Sequence, residues 1–247
     1  MTARFENKTV FVTGGASPRG MSFATARAFI VEGASVFLFD IDGERLPDAV
    51  GALGGRARGR AGDVRSPDDV EDALDECEHE LGPVDILVNH AGIGPSQHTL
   101  EITEADWDEV VGTNLTGVFL VARSVARRMA ERGVGVILNM SSTGGIAAEP
   151  GHAHYAASKA GILALTRAMA HDLGPHGLRV CALCPGDIDT YEWGNVELAR
   201  LYRSRIAAGR SGRPEEVAAV YLYLASDDAR HLSGTAFVVD GGMLAWE

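Results

Sequence analysis

Short apolar runs alternate with stretches of helical periodicity along the chain. The apolar runs predict seven strands, at residues 8–13, 35–39, 56–62, 84–89, 134–140, 179–183 and 236–239. Helical patterns follow most of them, through residues 22–30, from Pro67 onward, and over about 105–132 and 155–173. Most of the strands are almost wholly apolar, which is typical of parallel strands buried on both faces. The pattern therefore predicts an α/β fold, a doubly wound parallel sheet with helices on both faces.

The chain reads as one domain, residues 1–247, because no repeat, low-complexity tract or linker interrupts it, and the element order is that of a Rossmann-type sheet. A net charge of −12 argues against nonspecific binding to nucleic acid or to an anionic membrane surface. No apolar run reaches about eighteen residues, so we expect no membrane span. The first residues carry no secretory apolar region, so we expect a cytoplasmic protein.

The three cysteines fit a reducing compartment better than a disulfide scaffold. Cys181 and Cys184 form a Cys-x-x-Cys, but within a strand they would face opposite sides of the sheet. We therefore expect buried core cysteines and no metal site.

A glycine-rich turn joins the first predicted strand to the first helix. It reads Thr13-Gly-Gly-Ala-Ser-Pro-Arg-Gly-Met-Ser22, and its backbone N–H groups would meet a pyrophosphate at the positive end of the helix. Asp40 ends the second strand, twenty residues past Gly20, where a carboxylate would accept hydrogen bonds from an adenosine ribose. A plain turn residue is the alternative for Asp40, since Asp40-Ile-Asp-Gly is turn-like.

Tyr155 and Lys159 stand four residues apart, and Ser142 precedes Tyr155 by thirteen. On a helix, a phenol and an ammonium at this spacing share one face. The positive charge would lower the pKa of the phenol from about 10 toward working pH, where a general acid/base is most effective. A surface tyrosine beside a solvated lysine is the alternative for this spacing alone.

Together with further motifs, these features resemble the short-chain dehydrogenase/reductase family, in its short single-domain branch, over essentially the whole chain. The further motifs are Asp63-Val64, Asn89-His90-Ala91-Gly92, Asn114-Leu-Thr-Gly, Pro185-Gly186, Arg213-Pro-Glu-Glu-Val217 and Asp240-Gly-Gly242. The resemblance implies a catalytic tetrad of Asn114, Ser142, Tyr155 and Lys159. It implies cofactor contacts from Gly14, Ser17, Arg19, Gly20, Met21, Asp40, Asp63, Val64, Asn89, Ala91, Gly92, Tyr155, Lys159, Pro185, Gly186, Ile188 and Thr190.

The resemblance implies reversible hydride transfer between NAD(H) and a secondary alcohol or ketone. Tyr155 would exchange the alcohol proton, Lys159 would bind the nicotinamide ribose, and Ser142 would orient the reacting oxygen. Asn114 would hold a water that links Lys159 to solvent.

The chain departs from the family pattern in three places. The glycine turn is two residues longer than usual and has Ser22 where a glycine is expected, so that its hydroxyl would help to cap the helix. Arg19 stands where similar NADP enzymes carry a phosphate-binding cation, whereas Asp40 would repel a 2′-phosphate. We expect NAD, because an arginine can turn to solvent or to the pyrophosphate. His90 and Cys181 each replace an asparagine, and we expect both to be structural.

The residues expected around the substrate indicate a small hydroxylated molecule, such as a polyol, a sugar or a cyclic diol. Its candidate residues are Ser142, Glu149, His152, Tyr191 and Trp193, with solvated loop residues as the alternative reading. An NADPH-dependent 3-oxoacyl-carrier reductase is the alternative function, and Asp40 and the acidic charge oppose it. A nonenzymatic dinucleotide-binding protein is a third hypothesis, although it would not need all four tetrad residues.

Members of this branch are usually homotetramers, which implies packing of the predicted helices at 105–132 and 155–173 against a partner. Small residues would allow close helix approach, either to a partner or to the chain's own sheet: Ala156, Ala157, Ala160, Gly161, Ala164 and Ala168. The segment 243–247 would reach a neighbouring subunit.

Overall fold

Within residues 3–190 and 204–246, which the computed structural model describes, seven parallel strands form one sheet. They are β1 Thr9–Thr13, β2 Ser35–Asp40, β3 Ala57–Ala61, β4 Val84–Asn89, β5 Gly135–Met140, β6 Leu178–Pro185 and β7 Ala236–Val239. The spatial order is β3-β2-β1-β4-β5-β6-β7, so the chain reverses its direction of progress between β1 and β4. The predicted Rossmann-type sheet is confirmed, and a crevice at such a reversal is where doubly wound sheets bind ligands.

Helices cover both faces of the sheet. They are α1 Met21–Val31, α2 Leu46–Leu53, α3 Pro67–Leu81, α4 Glu104–Val111, α5 Val118–Arg132, α6 Ala153–Leu173 and α7 Pro214–Ala225. The apolar sides of α1, α2 and α7 pack on one face, and those of α3, α5 and α6 pack on the other. None of the helices in the described ranges has the length and apolarity needed to cross a membrane.

Strand alternation builds the two halves of the core. In β1, Val10 and Val12 belong to the cluster on one face, while Phe11 belongs to the cluster on the other. The same alternation separates Cys181 from Cys184, and all three cysteines are free and buried, as expected.

The helix predicted over 105–132 is not one regular helix. A π-helical segment, Gly112–Gly117, separates α4 from α5. Glycine is needed at its end, because a Cβ on Gly117 would lie 2.6 Å from Cγ2 of Val64. Single π-helical turns are rare and are found mostly at functional sites, and this one carries Asn114.

Close packing of α6 on this segment gives one small residue a role within the chain. A Cβ on Gly161 would lie 2.7 Å from Cδ2 of Leu115. Gly161 thus lets α6 approach its own chain, although the contact is with the π-helical segment and not with the sheet.

Replacement of Phe37 by alanine tests the buried sheet face. The Phe37 ring is inaccessible to solvent and stacks on Phe11 with ring centroids 5.6 Å apart. Phe37→Ala should lower the free energy of unfolding by about 3–5 kcal/mol in a urea titration, because it leaves a cavity. Phe119→Ala, at a ring that is 38% exposed on α5, is the control and should cost about 1 kcal/mol or less. Equal losses at the two positions would contradict this assignment of the core.

Candidate active site

A cleft of about 560 Å³ lies at the carboxyl ends of β4, β5 and β6. It gathers side chains and glycines that are distant in the sequence. Its walls include Met21, His90, Gly92, Gly94, Ser142, Glu149, His152, Tyr155, Lys159, Gly186 and Met243. Parallel strands bring their carboxyl ends to one edge of the sheet, so segments after three strands meet here.

The Tyr155 ring is held between two glycines. A Cβ on Gly94 would lie 3.1 Å from Cδ2 of the ring, and a Cβ on Gly144 would lie 3.4 Å from Cε1. The Ser142 hydroxyl lies near enough to the phenol to lower its pKa, and its oxygen accepts a hydrogen bond from the Gly144 N–H at 3.1 Å. Both hydroxyl groups line the cleft, where they could hold a substrate oxygen.

Burial dominates the acidity of this phenol. Desolvation raises the pKa of Tyr155 above its ordinary value, the Ser142 hydroxyl opposes the rise, and the charge of Glu149 adds to it. From the sequence we expected Lys159 to lower the pKa of the phenol. In the structure this pKa is raised, so the expectation is wrong. The Lys159 Nζ lies 5.6 Å from the ring centroid, and desolvation of the phenol is the larger effect.

Lys159 is almost completely buried beside the Tyr155 ring. Its Nζ donates a hydrogen bond to the Met140 carbonyl oxygen at 3.0 Å, and burial lowers the pKa of the ammonium to about 8. The predicted shared face of Tyr155 and Lys159 is thus present on α6. An ammonium with so little hydration gains from any hydroxyl or anion placed against it.

Asn114 ties the π-helical segment to its surroundings. Its Nδ2 donates to the Ile93 carbonyl at 2.8 Å and to the Ser158 hydroxyl at 3.1 Å, and its Oδ1 accepts from the Ile93 N–H at 2.8 Å. A Cβ on Gly92 would lie 3.1 Å from Asn114 Oδ1 and 3.3 Å from Lys159 Nζ. The Gly92 backbone therefore fits between these two groups. Ser142, Tyr155 and Lys159 line the cleft, and the buried Asn114 lies behind Gly92.

The glycine turn places unsatisfied N–H groups at the start of α1. Its N-cap is Gly20, with no side-chain cap and no acidic residue in the first turn. Ser22 does not cap the helix as expected, because its hydroxyl donates to the Gly14 carbonyl oxygen instead. Backbone donors without a side-chain acceptor fit the pyrophosphate of a dinucleotide.

Asp40 is bound into this turn. Its Oδ2 accepts the Ala16 N–H at 2.8 Å, and its Oδ1 accepts the Asp42 N–H at 2.9 Å. The turn interpretation and the ligand interpretation are compatible, because each carboxylate oxygen has two lone pairs. The carboxylate that would meet a ribose thus also holds the lengthened turn.

Several predicted cofactor residues have protein partners. The Asn89 amide donates to the Val118 carbonyl at 2.8 Å, and the Asp63 carboxylate pairs with the Arg65 guanidinium at 2.6 Å. Val64 and Ile188 are buried. For these four, the structure shows a packing or positioning role.

The other predicted cofactor residues lie on two segments. Gly14, Ser17, Arg19, Gly20 and Met21 follow β1, and Pro185, Gly186 and Thr190 lie at the end of β6 or after it. Ala91 packs against the glycine turn, since a Cβ on Gly14 would lie 3.0 Å from its Cα.

His90 lines the cleft, but it cannot exchange protons near neutral pH. Burial, reinforced by the charge of Lys159, lowers the pKa of its imidazole to about 3. Its Nε2 and the Tyr221 hydroxyl are buried without a hydrogen-bond partner among the described residues. The centroids of the two rings are 6.4 Å apart. The structural role expected for His90 agrees with this environment.

The predicted substrate residues divide into two groups. Glu149 and His152 line the cleft, and the His152 ring meets the Tyr155 ring edge-on with centroids 6.1 Å apart. Tyr191 and Trp193 lie outside the described residues.

Met243, which the sequence motifs do not assign to the site, also lines the cleft. No motif marks this residue, because only the fold of the last turn brings it to the site.

Comparison with known proteins gives matches along almost the whole chain. A family model described as enoyl-(acyl carrier protein) reductase matches residues 14–244. The chain is 39% identical to a 3-oxoacyl-(acyl-carrier-protein) reductase of Thermotoga maritima, over 98% of this chain and 99% of the relative. It is 37% identical to the meso-2,3-butanediol dehydrogenase of Serratia marcescens, over 98% of this chain and 96% of the relative. A solved short-chain type dehydrogenase/reductase from Mycobacterium marinum superposes with a TM-score of 0.90 at 35% identity, covering 98% of this chain and 97% of that chain.

Replacement of Lys159 by methionine tests the buried charge. The pKa of Lys159 falls from 10.5 to about 8 on folding, so the unfolded chain binds more protons between these values. The wild-type protein therefore gains stability as pH rises from about 8 to 10.5. Lys159→Met lacks this dependence. The free energy of unfolding of the variant minus that of wild type should therefore be highest at pH 7 and should fall by up to about 3 kcal/mol as pH rises.

Urea unfolding at several pH values between about 7 and 10 measures this difference. The control is Lys8→Met, since the Lys8 side chain is 46% exposed and its replacement should give a difference that does not change with pH. A constant difference for Lys159→Met would contradict the buried ammonium.

Proposed function

The chain belongs to the short-chain dehydrogenase/reductase family, and on that premise we propose that it transfers a hydride reversibly between NAD(H) and a small hydroxylated secondary alcohol or its ketone. One observation carries the proposal. Three groups lie together on the wall of one cleft: the Tyr155 phenol, the Ser142 hydroxyl that lowers the pKa of that phenol, and the buried Lys159 ammonium. An oxygen-binding pair next to a fixed cation is suited to moving a proton on and off a carbinol oxygen.

The chain's own groups would handle the proton and the orientation. A nicotinamide dinucleotide, when bound, would supply or accept the hydride. Ser142 and Tyr155 would hold the substrate oxygen, and the Tyr155 hydroxyl would donate its proton during reduction or take one during oxidation. Lys159 would bind the nicotinamide ribose, and it remains mostly protonated below its pKa of about 8.

The residues around the cleft fit a dinucleotide. The start of α1 offers N–H groups without a side-chain cap, and Asp40 stands at the end of β2 beside the same turn. A carboxylate beside a 2′-phosphate is repelled by about 1 kcal/mol for each pair of unit charges at 4 Å in water, and by more near a protein surface. These features support NAD over NADP.

The substrate side of the cleft supports a hydroxylated molecule. Glu149 and His152 bring polar groups to the wall beside Tyr155. The Serratia marcescens relative is, by its name, a dehydrogenase of a small diol, which agrees with this polarity. We therefore favour a polyol, a cyclic diol or a similar small molecule.

A second candidate is a 3-oxoacyl-carrier reductase that uses NADPH. The Thermotoga maritima relative carries that name, and it is 39% identical to this chain. Asp40 and the net charge of −12 weigh against NADPH and against an acidic carrier. Rates with NADH and NADPH on a 3-oxoacyl thioester, compared with NAD reduction by small diols, separate the two candidates.

The homotetramer and the cytoplasmic location follow from the family resemblance and stay predictions. Gel filtration with light scattering would measure the subunit number.

Tyr155→Phe tests the proton-transfer role. The phenylalanine keeps the ring between Gly94 and Gly144 but removes the hydroxyl. The turnover number with a diol and NAD should fall by at least about a hundredfold, because the general acid/base is lost. The Kd for NADH, measured by fluorescence titration, should change by less than about threefold. Retained turnover would contradict the assignment.

Asp40→Ser tests the cofactor preference and separates the two roles of this carboxylate. Wild type should prefer NAD to NADP in kcat/KM by at least about a hundredfold, which corresponds to roughly 3 kcal/mol. The variant should bind NAD more weakly and NADP more tightly than wild type does, because the repulsion is removed.

The outcome for both cofactors decides between the roles of Asp40. If Asp40 only holds the Ala16 N–H, both cofactors should weaken alike, and that result would defeat the proposed NAD selection. Asp42→Ser, two residues further on and paired with Arg45, is the matched control and should leave the ratio unchanged.

A further inference from the structure

The segment after β7 folds back as a fixed turn. Asp240 holds this turn with its carboxylate, as Asp40 holds the glycine turn. Its Oδ1 accepts the Gly242 N–H and its Oδ2 accepts the Leu244 N–H, both at 2.8 Å. A short 3₁₀ helix, Met243–Trp246, follows the turn. Two backbone hydrogen bonds to one carboxylate set the direction in which this helix leaves the sheet.

Two glycines allow the turn to take this path. Gly241 and Gly242 have φ angles of +64° and +85°, which favour glycine. A Cβ on Gly241 would lie 2.8 Å from Cγ2 of Ile206, and the Gly241 carbonyl accepts the Ala208 N–H at 2.9 Å. The turn is therefore packed against residues 206–208, which helps to set the position of Met243.

Met243 is thereby placed against the end of β6. Its Sδ lies 3.5 Å from the position that a Cβ on Gly186 would occupy, and the side chain lines the cleft. Its thioether gives this end of the cleft an unbranched, apolar surface.

Two polar residues of the cleft lie toward its other end. The loop that carries Glu149 and His152 is tied to the segment after β4, since the Gln97 N–H donates to the Gly151 carbonyl at 2.8 Å. In the sheet, β4 and β7 are separated by β5 and β6, so their ends stand roughly 14 Å apart at the usual strand spacing. Glu149 and His152 thus lie toward the β4 end of the cleft and the Met243 thioether toward the β7 end, where the Asp187 carboxylate also lines the wall and accepts the Ser211 hydroxyl at 2.7 Å.

We propose that Met243 is a specificity-determining residue that receives the apolar substituent of an unsymmetrical secondary alcohol, while Glu149 and His152 face the hydroxylated substituent. The inference rests on the proposed dehydrogenase function. Ser142 and Tyr155 fix the oxygen of the carbinol carbon, and its hydrogen must face the cofactor. Among the described residues, one remaining substituent would then lie toward Glu149 and His152 and the other toward Met243, so the cleft would distinguish enantiomers.

The test uses both enantiomers of 1,2-propanediol and of 1,2-hexanediol, whose secondary carbinol carbon carries one apolar and one hydroxymethyl group. Wild type should prefer one enantiomer of each pair, with the larger ratio of kcat/KM for the hexanediol. Met243→Gln keeps the side-chain length but makes the side chain polar, so it should reduce or invert that ratio by about tenfold. Leu244→Gln makes the same kind of change one residue further on, at a side chain outside the cleft wall, and should leave the ratio within twofold.

The outcomes separate this inference from the proposed function. Turnover of both enantiomers with a ratio that Met243→Gln leaves unchanged overturns the role of Met243 and leaves the dehydrogenase activity standing. Turnover of no enantiomer by wild type overturns the proposed function and this inference with it. Thermal unfolding of each variant within a few degrees of wild type shows that the changes act on the cleft.

Asp240 is a positioning residue in this proposal, because it touches only the backbone of the turn. Asp240→Asn retains one acceptor oxygen and should lower the enantiomer ratio of kcat/KM in the same direction as Met243→Gln. The change should arise mainly in KM, and kcat for the preferred enantiomer should stay within about threefold of wild type. An unchanged ratio would show that the turn does not depend on this carboxylate.

Discussion

Burial of the Lys159 ammonium is the constraint on which the site depends. The interior holds this charge through the Met140 carbonyl, and burial alone takes its pKa to about 8. The backbone beside the ammonium must come close, since a Cβ on Gly92 would lie 3.3 Å from Lys159 Nζ and 3.1 Å from Asn114 Oδ1. Glycine at position 92 thus leaves room for the buried cation.

The sequence predicts the parts of the molecule that follow from periodicity and local spacing. All seven strands were foreseen within two residues at each end, because parallel strands leave uninterrupted apolar runs. The Tyr155–Lys159 pair was foreseen because helix geometry fixes residues four apart on one face.

What the sequence cannot predict depends on contacts between distant segments. The π-helical turn at Asn114 brings Gly117 against Val64, and the Ser22 hydroxyl, inside the first turn of α1, donates to the Gly14 carbonyl. The phenol acidity of Tyr155 went the other way from expectation because spacing gives no measure of burial. Met243 reached the cleft through backbone hydrogen bonds to Asp240, which no residue pattern encodes.

The hydrogen bond from Ala16 to Asp40 has a consequence for how such a protein can diverge. In the proposed role, residue 40 would meet the ribose, and in the structure it anchors the turn, so one substitution would alter both properties together. A lineage that exchanged this aspartate for a residue without a carboxylate would lose an acceptor for the Ala16 N–H and would need a compensating change within the turn.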